Sequence, residues 1–430
     1  RRTQATSHSD TNPGNAVSSD GITVTAFERK IDGKDQIHVK NSLGALQAIS
    51  TSGTKAANPH ITVVDDHTML ITWSEYNSAT KYDIKSCHVD VNSLTTTNHK
   101  TISASSGSQK KPNAKSIAGQ TDTVFEDGAG CSQSSSAGTT TLAADCDKPK
   151  ITEASNHNVI VYESGDGITL QTQAEASTAT ETVELSATAA QPDVTAISSN
   201  TVAISYTDTV TQQIKVQTAI VNSDGSLDLQ GSAHAVTAPT GSHQSGASIT
   251  ALANGFSVSY NSDQNQEGQD VYVAHFDITG NPVGDPIAIT AGVANNQENS
   301  NIAYDTSSAE VVVVYEDNGQ INEASIPVPV ELSISATASE STAHGDSQTS
   351  SDAASGSSES DGSESAAGSS SGDGSGDATS SEAADESEAA STTAQASSES
   401  AAGSSTGESS GDATSSEAAD ESEAASATAQ

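Results

Sequence analysis

Five carboxylates recur just past short strands that end in an aromatic residue: Glu75, Glu163, Asp208, Asp263 and Glu316. Two carboxyl groups facing each other across a cleft, roughly 5–10 Å apart, are what glycoside hydrolysis requires: one serves as acid, the other as base or nucleophile. If the ends of equivalent strands gather on one face of the fold, the same five acids would ring a channel mouth. Their oxygens would then suit a divalent cation such as calcium, or a cationic ligand. Solvated turn residues would show the same spacing, so position alone assigns no chemistry. Asn222, Asp224 and Asp228 in "NSDGSLD" match part of a calcium loop. The full pattern needs a Glu at position 12 and more oxygens before it, and a hairpin turn explains the same residues. Calcium is the one cofactor the sequence leaves open.

Other constellations are weaker. His60, His67, His88 and His99 fall in one region, but without the H-x-x-x-H or H-E-x-x-H spacing of a metal site. There is no G-x-S-x-G elbow for a serine nucleophile, and no glycine-rich phosphate loop follows a strand. Catalysis is not demanded by any motif. Cys131 and Cys146 flank "SQSSSAGTTTLAAD", which reads as a disulfide-closed loop. Zinc would need four ligands at compact spacing; two unpaired thiols are the other reading. Cys87 is expected to be a buried strand residue.

The elements that must carry these residues are strands. "HTMLITWSEY", "HNVIVYES", "NTVAISYTD", "GFSVSYNS" and "AEVVVVYED" alternate apolar and polar with period two, which is a β signal. Each is preceded by a short strand such as "PHITVV" or "PDVTAI", and followed by a turn, a third strand and a fourth. The turns are of the Asn/Gly type that closes hairpins. Two weaker copies, "GITVTAFERK" and "TDTVFEDG", place aromatics at Phe27, Trp73, Phe125, Tyr162, Tyr206, Tyr260 and Tyr315. The mean interval is about 48 residues, close to the 40–50 residues of a four-stranded blade repeat. The expected fold is all-β, a β-propeller of six or seven four-stranded blades. A row of sandwich domains would need a period twice as long. The expected boundaries are a polar segment at 1–20, the propeller at 21–332 and a tail at 333–430. The first unit shows no clear leading strand, and "IPVPVELSIS" (326–335) is a candidate to supply it when the ring closes.

From Ser335 to Gln430 there is no Val, Ile, Leu, Met, Phe, Tyr or Trp, so the tail has almost nothing to bury and is expected to be disordered. It repeats "GDATSSEAADESEAAS" and "SESAAGSS" at an offset of 35, a tandem duplication. Residues 333–430 carry 19 acidic and no basic residues, as expected of an extended, self-repelling stalk. The whole chain has a formal charge of −40, with its last basic residue at Lys215. Nucleic-acid binding needs clustered cations to neutralise phosphates, so that partner class is excluded, and anionic membranes should repel the chain. No apolar run reaches the roughly 18–20 residues of a membrane span. A start at Arg1 is expected of a mature form or fragment, and together with the expected disulfide it points to an extracellular or cell-surface location.

The stretch "HFDITGNPVGDPIAITAGVANNQENSNIAYDTSSAEVVVVYED" resembles repeats of secreted bacterial β-propeller proteins, whose units run from an aliphatic strand with a terminal Trp or Tyr to an F-D-x-x-G-x-x-V-G turn. The resemblance covers about 245–317 well and 58–230 loosely. It implies a fold and a setting that includes adhesins, lectins, lyases and glycosidases. Propeller sialidases as a family grip the substrate carboxylate with three arginines and carry S-x-D-x-G-x-x-W turns. This chain has only Arg1, Arg2 and Arg29, and "NSDGSLDL" lacks the Trp, so that activity is not expected. The expectation is a recognition or adhesion module that binds a glycan or protein through one face of the propeller, with the tail as a stalk. The alternatives are a carbohydrate-active enzyme using paired carboxylates and a structural module of a larger extracellular polymer.

Overall fold

A computed structural model describes residues 8–333 except 118, 129, 166, 175–178, 237–241 and 266–267. The described residues form seven antiparallel sheets, six of four strands and one of three. The blades cover residues 10–48, 56–103, 109–143, 147–186, 189–235, 244–288 and 297–327. The strand order within each sheet follows the sequence, and the first strand of each blade lines the central channel. The protein is a seven-bladed β-propeller. The expected tail, 333–430, lies outside the described residues apart from Ser333.

Period two puts alternate side chains on opposite faces of each radial sheet, and each face packs against a neighbouring blade. Blades 1 and 2 share Val24, Ile37, Ile71 and Trp73. Blades 5 and 6 share Ile214, Val216, Phe256 and Tyr260. The seven aromatics spaced along the sequence occupy one equivalent position on the second strands. All are buried except Tyr315, which is half-buried.

Every innermost strand is interrupted at the same place by a β-bulge. The bulged residue has a left-handed backbone in all seven: Asn12 (φ 50°), Asn58 (55°), Lys111 (48°), Lys148 (49°), Gln191 (55°), Gly246 (63°) and Asn299 (51°). In the first five blades the next residue is proline, which a bulge tolerates because no ladder hydrogen bond is lost there. Holding a non-glycine residue at positive φ costs about 1–2 kcal/mol, so neighbouring groups must hold it in place.

Two boundaries differ from the sequence reading. The innermost strand of blade 1 is Asp10–Val17, inside the segment assigned to a polar N-terminus. Its sequence, "DTNPGNAV", hides the strand because the bulge and its proline break the alternation. The ring also does not close with residues 326–335. The last strand is Gln320–Pro327, and a helical turn, Val330–Ser333, follows and buries Leu332 against Leu252 and Val273. Blade 1 has its own inner strand, and it meets blade 7 through polar contacts. Asn15 N–H donates to Asn301 Oδ1 (3.0 Å), Asn15 Nδ2 to the Val312 carbonyl (2.9 Å), and Asp10 N–H to the Gly319 carbonyl (2.9 Å).

Candidate functional site: the channel and the leading face

The inner strands enclose a channel of about 820 Å³. The second residue after each bulge forms a ring around it: Gly14, His60, Asn113, Lys150, Asp193, Ser248 and Asn301. Most of these side chains tie one blade to the next. His60 Nδ1 accepts from Ala114 N–H (3.2 Å), Asn113 Oδ1 from Ile151 N–H (3.0 Å), and Asp193 Oδ2 from Ile249 N–H (3.1 Å). Burial, helped by the Lys150 charge, pushes the His60 imidazole down to about 3, so it is neutral at physiological pH. With Nδ1 accepting, its proton sits on Nε2. Lys150 breaks the pattern as a donor-only group, and its nearest carboxylate oxygen is Asp193 Oδ1 at 4.0 Å.

The end at which the inner strands begin, called here the leading face, also receives the C-terminal ends of the second strands. All five sequence-predicted acids sit at this end, but at three different offsets from the aromatic. Glu163 and Glu316 follow it directly, Glu75 and Asp208 lie one residue further, and Asp263 lies beyond the strand end. The equivalent residues are Glu28, Ser74, Glu126, Glu163, Thr207, Asn261 and Glu316.

The four glutamates of that set do one job. Each accepts the backbone N–H of the left-handed bulge residue in the next blade: Glu28 from Asn58 (2.8 Å), Glu126 from Lys148 (3.0 Å), Glu163 from Gln191 (2.5 Å) and Glu316 from Asn12. Glu28 and Glu126 went unnoticed in the sequence. The usable signal was a Glu directly after the aromatic.

The other predicted acids are also engaged. Glu75 is buried and accepts from Thr51 N–H (3.0 Å), Thr51 Oγ1 (2.8 Å) and Trp73 Nε1 (3.1 Å). Asp208 pairs with Lys215 and accepts from Val210 and Thr211 N–H. Asp263 accepts from His243 N–H (2.6 Å) and meets its ring at 2.8 Å. Burial pulls the Asp263 carboxyl upward, but its hydrogen bonds from His243 win and hold it below the usual range. Asn222 and Asp224 lie in a hairpin turn, where Asp224 accepts from Ser226 N–H (3.0 Å) and Oγ (2.7 Å); Asp228 is in the outer strand Leu227–Ala235. No group of three or more His, Cys, Asp or Glu among the described residues converges as a metal site.

The Glu28 and Glu316 carboxylates both bond to Asn12 at the seam between blades 1 and 7. Burial is the main force raising both above the ordinary glutamate value, outweighing the hydrogen bonds from Asn58 and Asn12 at Glu28, and from Asn12 and Asn299 at Glu316. Folding therefore favours their protonated forms. Their contribution is fully present below the unfolded-state pKa and is lost as pH rises through the raised native value. At pH 7, Glu316→Gln should equal or exceed the wild type in stability, since its amide oxygen still accepts from Asn12. Glu316→Ala should lose about 0.5–1.5 kcal/mol, the net worth of that hydrogen bond. Urea melts at pH 5 and pH 7 check this, and a glutamine variant as damaged as the alanine would refute it.

Away from the channel, the leading face of blade 2 carries Tyr76, which is 47% exposed. Its ring meets Tyr82 edge-on, with centroids 5.5 Å apart and planes at 77°. Its N–H donates to the Lys55 carbonyl (2.7 Å).

No protein-family model matches the chain, and no curated protein sequence matches it. Solved structures match the chain distantly, at low identity. A Hadza microbial sialidase, Hz136, is 10% identical with a TM-score of 0.46, covering 74% of this chain and 66% of its own. Virginiamycin B lyase from Staphylococcus aureus is 12% identical with a TM-score of 0.44, covering 75% and 99%. A prolyl endopeptidase is 10% identical with a TM-score of 0.44, covering 74% and 50%. This chain thus spans about two thirds of the sialidase and half of the endopeptidase.

Proposed function

We propose that this chain is a recognition module of the cell surface or extracellular space that binds a glycan through the leading face of its propeller, with residues 334–430 as an acidic spacer. The observation that carries the reading is the Tyr76–Tyr82 pair. Exposed aromatics are rare in this chain, which has only 13 Phe, Trp and Tyr residues in all. Tyr76 is the aromatic among its exposed large apolar residues. An exposed aromatic face stacks on the apolar face of a sugar ring, and its polar rim supplies hydrogen bonds. By contrast, the acids suited to hydrolysis are spent on holding bulges, turns and Trp73 in place. The Cys131–Cys146 disulfide is consistent with an oxidising compartment. No helix among the described residues is long and apolar enough to cross a membrane.

A glycan array probed with the full chain and with Tyr76→Ala tests the reading. Saturable binding that Tyr76→Ala weakens about tenfold supports it, about 1.4 kcal/mol of lost contact. No binding to any glycan defeats it and shifts weight to a protein ligand.

A further inference from the structure

The formal charge of −40 conceals a sharp segregation. Residues 1–117 hold 13 of the 16 basic residues but only 10 of the 56 acidic ones, for a formal charge of +3. Residues 118–430 hold the other 3 basic and 46 acidic residues, for −43. The positive charge then sorts again within blade 2. Asp65, Asp66 and Asp90 lie at the far end, around the hairpin to Thr68. Glu75 and Asp83, the blade's acids at the leading face, are 7% and 1% exposed. Glu75 is bonded to Thr51 and Trp73, and Asp83 accepts from Asn77 Nδ2 (2.9 Å) and Thr80 Oγ1 (2.5 Å).

The lysines at that face point the other way. Lys55 and Lys81, together with Lys110 from the adjoining inner strand of blade 3, are exposed, and none makes an ion pair among the described residues. All three surround the tyrosines. Lys55 is joined to Tyr76 through its backbone, Lys81 ends the hairpin that leads into Tyr82, and the Lys110 ammonium stands 5.6 Å from the centre of the Tyr82 ring. Exposed ammonium groups beside an exposed aromatic ring suit a ligand that presents a sugar ring and an anionic substituent together.

Resting on the glycan reading above, we infer that the leading face of blade 2 binds an acidic polysaccharide. A sugar ring stacks on Tyr76, and the carboxylates or sulfates of the polymer meet Lys55, Lys81 and Lys110. At 0.15 M salt the Debye length is about 8 Å, so the local patch, not the total charge, governs contact.

The test is binding of the full chain to immobilised polyuronate, sulfated galactan, neutral dextran and polyglutamate at that salt. It uses the wild type, Tyr76→Ala and the triple variant Lys55→Glu/Lys81→Glu/Lys110→Glu. All four substituted positions are exposed or at a rim, and circular dichroism confirms folding. The expected result is retention on one or both acidic polysaccharides, weakened about tenfold by Tyr76→Ala and at least a hundredfold by the triple variant. Preference between polyuronate and sulfated galactan identifies the anionic group. Equal binding to polyglutamate, untouched by Tyr76→Ala, would overturn the inference and mark a generic acid-docking surface. Binding to dextran that the lysine changes leave intact would overturn it while preserving glycan recognition. Binding to none of the three polysaccharides would remove both.

Discussion

Tyr260→Ala should lower the free energy of unfolding by about 3–5 kcal/mol, whereas Tyr260→Phe should leave it unchanged or raise it. The ring is fully buried between blades 5 and 6, among Ile214, Val216, Ile249 and Phe256. It stacks on Tyr272 with centroids 5.7 Å apart, beside the Phe256–Phe276 stack at 5.1 Å. Truncation removes these contacts and leaves a cavity that rigid flanking strands cannot collapse. The hydroxyl has no hydrogen-bond partner among the described residues. Burial, with a smaller push from Tyr272, accordingly drives its pKa upward. An unsatisfied buried hydroxyl costs about 1–3 kcal/mol, so deleting it should not hurt. Equilibrium urea unfolding of the two variants decides the matter. If Tyr260→Phe costs more than about 1 kcal/mol, the hydroxyl is bonded through a buried water and the argument fails.

That residue also shows why the fold was legible. An aromatic at one fixed position of the second strand, buried between radial sheets, must recur once per blade. Its interval therefore narrowed the count to six or seven blades before any strand boundary was known, and the structure has seven. Even Phe27, out of phase with Ile22 and Val24, holds the equivalent position. The inner strands were less legible because each contains a bulge that breaks period two. Their signature was a residue at positive φ followed by proline, as in Asn12-Pro13, Asn58-Pro59 and Lys148-Pro149. Taking those prolines as strand starts cut the strands short and lost Asp10–Val17 altogether.

The acids were misaligned for a related reason. A shift of one residue along a strand moves a side chain to the opposite face. Glu163 follows its aromatic directly and reaches forward to the bulge of the next blade. Glu75 lies one residue further along and turns to Thr51 and Trp73 instead. Grouping them as residues just past a strand mixed side chains that face different neighbours. The lysine patch was invisible for a different reason. Net charge sums over the chain, whereas a ligand meets only what one face presents.

The second large effect is expected at Cys131 and Cys146. Replacing both with alanine should cost about 3 kcal/mol, the loop-closure estimate for a bridge spanning 15 residues. The location argues that little else would compensate. Cys131 lies in the third strand of blade 3, Gly130–Ser135, and Cys146 immediately precedes the inner strand of blade 4. The outer strand, Gly138–Ala143, is mostly exposed and polar, so it buries little to hold itself down. The bridge fastens that hairpin to blade 4 and joins Val124, Ile151 and Tyr162 in a shared core. Its loss should therefore open the outer hairpin of blade 3 before the rest of the ring unfolds, seen as proteolytic nicking within residues 134–143. Cys87 supplies the internal control: it is buried, its thiol is pushed up to about 12 by burial, and it should not react in the native state. Thiol titration in denaturant without reductant should count one cysteine in the wild type. Three would mean that the bridge does not form, and an unchanged melting curve in the double variant would mean that it does not stabilise the blade.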